Sequence, residues 1–125
     1  MTSERVLATR PAPMREFVAP FAVPSRLTGH TYQVRFSHLW NAISTRHADA
    51  VDCKFFVDGR GVIVGLAHPA FVQFRERTGR ELTDREASHI AAAYLRERLE
   101  EEDEHALYEL PAEEVLRLAE TLGLG

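Results

Sequence analysis

The segment from Val51 to Leu66 constrains this chain more than any other. Val51, Cys53, Phe55 and Val57 alternate with other residues, as do Val62, Val64 and Leu66, and Asp58-Gly59-Arg60-Gly61 separates the two runs. Alternation places each apolar set on one face of a strand, and Asp-Gly is a favoured pair where a hairpin turn needs positive φ. Parity checks the reading. A two-residue loop pairs Phe55 with Val62 and Cys53 with Val64, and a four-residue loop pairs Phe55 with Val64. Both keep the apolar rows on one face, whereas an odd loop would split them. The second face of the hairpin is mixed, carrying Asp52, Lys54, Phe56, Gly61, Ile63 and Gly65. Phe56 and Ile63 are candidates for partial cover. The glycines leave room for another backbone or a ligand, or more simply for an aromatic ring from the neighbouring strand.

Upstream, Thr31 to Leu39 alternates as well, with Tyr32, Val34 and Phe36 on one side and Thr31, Gln33, Arg35 and Ser37 on the other. That is a strand with one wet face. Leu39, Trp40 and Ile43 then move to helical spacing, which predicts a short helix over about 38–45, and Ser44 to Asp49 reads as a loop. Downstream, Pro69 starts a helix with Phe71, Val72 and Phe74 on its apolar side, and Thr78-Gly79 stops it. Thr83 and Glu86 form a capping box for a second helix with Ala87, Ile90, Ala91, Tyr94, Leu95 and Leu99 on its apolar side. Ala106 to Leu110 alternates briefly as a short last strand. Pro111 opens a third helix that buries Val115, Leu118, Ala119 and Leu122 and ends at Gly123-Leu124.

Residues 1–30 hold four of the six prolines, at Pro11, Pro13, Pro20 and Pro24, which favours an extended path. Phe17, Val18, Phe21 and Val23 are too apolar for a free tail, so the second half of this arm is expected to dock on its own domain or on a neighbouring subunit. Residues 31–125 then form one domain. At 125 residues the chain buries about two-thirds of its unfolded surface, enough for a core without staples. The expected fold class is α+β. A small antiparallel sheet contains the leading strand, the central hairpin and the short last strand, and about three helices cover one face.

The net charge of −4 has an address. Between Arg96 and Glu104 two arginines face six acids, so that stretch accounts for the whole imbalance. The run Glu100 to Glu104 reads as a solvated helix end, or as a docking surface for a basic partner. Neither suits nucleic acid, which needs a concentrated positive field. No apolar run approaches a membrane span, and the start carries no signal-peptide pattern. With the single Cys53 unable to form an internal disulfide, a cytoplasmic location is expected. Fourteen arginines against the lone Lys54 suggest a GC-rich bacterial genome.

Cys53 is the sharpest nucleophile candidate, but it sits in the row of Val51, Phe55 and Val57, where a small buried hydrophobe belongs. His30, His38, His47, His68, His89 and His105 form no zinc spacing, and Glu86-x-x-His89 reads as a surface pair at i,i+3. His38 continues the Tyr32–Phe36 column, and His68 precedes Pro69 at a helix N-terminus. Gly59-x-Gly61 lacks the remaining glycine and lysine of a phosphate loop. The segment 69–99 has the outline of a helix-turn-helix in spacing only, and its basic residues Arg75, Arg77, Arg80 and Arg85 alternate with Glu76, Glu81, Asp84 and Glu86.

These observations lead to an expectation of a non-enzymatic interaction module that self-associates as a homodimer. Phe17, Phe21, Phe56 and Ile63 are its candidate contacts, with no catalytic residues, cofactor or metal assigned. One alternative is a small-ligand-binding protein or small enzyme whose pocket, between sheet and helices, gathers His38, Cys53 and His68. Another is DNA binding through 69–99.

Overall fold

The computed structural model describes residues 15–42 and 49–124. Five strands form one sheet in sequence order: β1 (Phe21–Pro24), β2 (Thr31–Ala42), β3 (Ala50–Val57), β4 (Arg60–Ala67) and β5 (Leu107–Leu110). Three helices accompany them, α1 (His68–Thr78), α2 (Asp84–Glu100) and α3 (Ala112–Thr121). The fold is α+β.

The hairpin takes the two-residue loop. Phe55 pairs with Val62 and Cys53 with Val64, and Asp58 (φ 50°) and Gly59 (φ 83°) make the turn. Two successive residues at positive φ twist the chain in the sense the flanking strands require. Asp58 fits because its carboxylate accepts a hydrogen bond from the Gln33 N–H at 2.8 Å, tying the turn to β2.

Three features differ from the sequence reading. The helix expected over 38–45 is replaced by β2, which continues to Ala42; positions 43–45 lie outside the described residues, as does most of the Ser44–Asp49 loop. A bulge explains the misleading spacing. Between Phe36 and His38 the register with β3 shifts by one residue, so Leu39, opposite Cys53, turns toward the core and His38 turns away. An inserted residue inverts the alternation of a strand, and that inversion looks like a change of period.

The second difference is direction. β5 pairs with β4 in parallel, Ile63 opposite Leu107 and Leu66 opposite Leu110, so the sheet is mixed rather than antiparallel. The connection runs through α1 and α2, long enough to carry the chain back for a parallel pairing. Third, part of the proline-rich arm is itself a strand. β1 pairs antiparallel with Thr31–Val34, and Val23 is fully buried.

The helices lie on one side of the sheet. α2 packs against β1, β2, β3 and β4, while α1 and α3 pack on each other and on β4. Between the layers sits a core of Val23, Tyr32, Val34, Cys53, Phe55, Val64, Leu66, Ile90, Leu95, Leu99, Leu110, Val115 and Leu118. The capping box forms as expected, with the Glu86 N–H donating to Thr83 Oγ1 and the Thr83 N–H to Glu86. Gly79, at φ 81°, ends α1, and Leu124 N–H donates to the Ala119 carbonyl to close α3. Along α1 the buried residues are Ala70 and Phe74, while Val72 points to solvent. Among the described residues, no helix is long and apolar enough to cross a membrane.

Candidate interaction surface

Opposite the helices, the side chains of β2 to β5 stand in three cross-strand rows. The first is Arg35, Phe56 and Gly61; the second His38, Lys54, Ile63 and Leu107; the third Trp40, Asp52, Gly65 and Glu109. Period-two geometry on either side of the bulge, together with the fixed hairpin register, dictates this grouping. Phe56 and Ile63 are half-buried, and Trp40 and Leu107 are 37% and 41% exposed. Two cations flank the Phe56 ring. The Arg35 guanidinium lies 4.3 Å from its centroid and Lys54 Nζ 5.2 Å. Such contacts hold the charged groups against the apolar surface instead of extending them into water. The simpler expectation for Gly61, a ring laid over it, is not met. The Lys54 stem comes within 3.4 Å of where a Gly61 side chain would begin, and Phe56 turns toward Arg35.

The other two candidate contacts are engaged within their own chain. Phe17 stacks on Phe36 with centroids 5.2 Å apart and lies under Arg85. Phe21 packs on the core beneath Arg96. The second half of the arm therefore docks on its own domain.

His38, Cys53 and His68 do not converge. His38 is exposed on β2, where Nδ1 meets Ser37 Oγ at 3.0 Å and the ring lies 5.0 Å from Trp40. His68 is exposed at the start of α1, where its side chain caps nothing and its ring stacks with Phe71. Cys53 is fully buried between them in sequence but on the helical side of the sheet. Burial, followed by the nearby carboxylates of Asp52 and Asp84, pushes its thiol up to about 12. A thiol so placed stays protonated and packs as a hydrophobe. Hollows do exist elsewhere. One lies between α1 and α3 over Phe74 and Leu116, and another beside Arg35 and Phe56.

The acidic run is an internal clasp. Glu102 accepts hydrogen bonds from Ser25 and Thr28, Glu104 from the Tyr32 hydroxyl at 2.6 Å and from Arg60, and Glu100 and Glu101 pair with Arg26. Asp103 meets Arg98 and His105. These carboxylates tie the end of α2 to the β1–β2 turn and to the start of β4. Exposed pairs of this kind contribute little singly, but several converge here.

The would-be helix-turn-helix is similarly occupied. Arg80 forms a bidentate pair with Glu86, at 3.0 and 2.9 Å, and donates to the Leu124 carbonyl at 2.8 Å. Arg75 meets Glu81. In the outline α2 would enter the groove, but it is the helix that spans the sheet, burying Glu86, Ala87, Ser88, Ile90, Ala91, Ala92, Leu95 and Leu99. The expected pairing of Glu86 with His89 is absent. Glu86 turns to Arg80 and Thr83, and His89 Nε2 instead meets the Glu16 carbonyl at 3.0 Å. Among the described residues, no three His, Cys, Asp or Glu side chains gather as a metal site would require.

No protein-family model, curated protein or solved structure matches the chain.

Proposed function

We propose that this protein is a non-catalytic interaction module that self-associates through the side of its sheet away from the helices. One observation carries the reading: Trp40, Phe56, Ile63 and Leu107 share the side of the sheet away from the helices. Apolar groups that collect on one face and are rimmed by charge mark interaction sites more often than scattered ones do. A twofold dimer is the commonest way a small chain covers such a surface. The reactive side chains favour the same reading, because the one thiol is sealed in the core and the histidines on either side of it stand apart.

Sedimentation velocity from low to high micromolar concentration tests the proposal, with native mass spectrometry of the same sample. The expected result is a concentration-dependent dimer of unmodified chains. A chain that stays monomeric throughout overturns self-association, and a species heavier than a whole number of chains would move the assignment to a retained ligand.

A further inference from the structure

β2 is twelve residues long, and β1 covers only Thr31–Val34 of its outer edge. Pro20 has no N–H with which to extend β1, and the Val18 N–H donates to Ser88 Oγ at 3.1 Å instead. Among the described residues, no strand flanks β2 beyond Val34 on that side.

The hairpin register says which groups face outward. Val57 and Arg60 close the two-residue turn as a hydrogen-bonded pair, so Phe56, Lys54, Asp52 and Ala50 direct their backbone groups toward β2. Their partners there are Arg35, His38, Trp40 and Ala42. Leu39 and Asn41, lying between those partners, therefore turn N–H and C=O away from β3. A strand edge of this kind is a template for another strand.

We infer that this edge pairs antiparallel with the same edge of a second copy, about a twofold axis at Trp40. The inference rests on the self-association reading and narrows it to Trp40 and the edge of β2, with Phe56, Ile63 and Leu107 left outside the paired strands. In that register Leu39 of each copy exchanges backbone hydrogen bonds with Asn41 of the other. The two Trp40 residues oppose each other at a non-hydrogen-bonded position, where side chains approach most closely. Both rings lie on the face away from the helices, and the two sheets become one continuous sheet.

Charge favours a second copy as the occupant. Leu39, Trp40, Asn41 and Ala42 are all uncharged, so no like charges oppose one another at the centre of the pairing. The surplus negative charge gathers near the Tyr32–Glu104 contact. From position 32 to position 40 is about 27 Å along a strand, several times the Debye length of about 8 Å at physiological salt. Two chains of net charge −4 can thus meet here with their acidic ends pointing apart.

Asn41→Pro and Trp40→Cys test the inference. Proline at 41 removes an outward donor and leaves the bonds from β2 to β3 intact. By sedimentation velocity, with circular dichroism as the folding control, the dimer is expected to weaken about tenfold to a hundredfold. Trp40→Cys places two thiols across the axis within the Cα span of a disulfide, while Cys53 stays sealed. Mild oxidation without denaturant should give a linked dimer. A wild-type dimer whose Asn41→Pro form is undiminished, or whose Trp40→Cys form gives no disulfide, overturns the β2 edge and leaves self-association to another surface. A wild-type monomer at every concentration overturns both. Should Asn41→Pro fail to fold, the disulfide alone decides.

Discussion

At the scale of single residues, the charges of this molecule act chiefly on the molecule itself. Burial pushes the Glu86 carboxyl upward, but the hydrogen bonds from Arg80 and the Thr83 N–H outweigh it and hold the group below the usual carboxylate range. Asp58 is also held low, first by the Gln33 N–H and then by His30. A depressed carboxyl stabilises the fold above its unfolded value near 4 and loses that contribution as pH falls through its folded value. The melting temperature should therefore drop as pH is lowered from about 5 toward 3. Arg80→Ala should remove part of that acid limb and cost about 1–3 kcal/mol in urea unfolding, since Glu86 is left buried without its cation while Arg80 itself is partly exposed. At the alkaline end the sign reverses. Burial, then the bond to Glu104, raises the Tyr32 phenol well above its ordinary value, and burial raises Tyr108 as well. The stability carried by these neutral phenols is complete below about pH 10 and is lost as pH climbs toward the folded values. A spectrophotometric titration should show phenols that ionise only as the protein unfolds. Cys53 should ignore a thiol reagent in the native state and react fully in denaturant; rapid labelling of native protein would contradict its sealed position.

At the scale of elements, local chemistry sets the turns and caps, and its loss should be measurable. Gly59 at φ 83° occupies a conformation that costs an L side chain about 1–2 kcal/mol, so Gly59→Ala should destabilise by roughly that amount. Thr83→Ala removes one side of the capping box and should cost about 1 kcal/mol. Both are read from denaturant midpoints at unchanged slope. These elements were legible because their determinants are adjacent in sequence: two turn residues at positive φ, and a threonine three residues before a glutamate. The bulge at Ser37 was not legible. Its extra residue is tolerated because β3 supplies partners on both sides of it, and a single strand carries no mark of where its neighbour skips. The same blindness turned the Leu39–Trp40 pattern into an expected helix.

At the scale of the whole molecule, the second half of the proline-rich arm and the acidic run belong to the fold. Val23 is fully buried in β1, Phe17 stacks on Phe36, and the α2 end clasps the β1–β2 turn. Deleting residues 1–24 should therefore lower stability by at least the roughly 1.5–3 kcal/mol of a buried valine, seen as a fall in melting temperature. An unchanged melting temperature would mean that the arm contributes nothing to the domain. The candidate site was only half visible beforehand. Phe56 and Ile63 could be placed on the second face because the hairpin register follows from parity. Trp40 and the stretch of β2 that β1 does not pair could not, because both depend on how far β2 runs and on where β1 stops.

The α+β class, the hairpin and its candidate registers, the caps and stops of the helices, and the burial of Cys53 are all readable from the order of the amino acids. Each of these follows from periodicity or from residues within a few positions of one another. The parallel run of β5 beside β4, the binding of the acids of 100–104 to the molecule's own loops, and the packing of Phe17 and Phe21 on their own chain emerge only in the folded molecule. So does the separation of His38 and His68 from Cys53. Those outcomes depend on which distant segments come to share a sheet edge or a helix end, and energies between residues far apart in the chain leave no periodic trace in it.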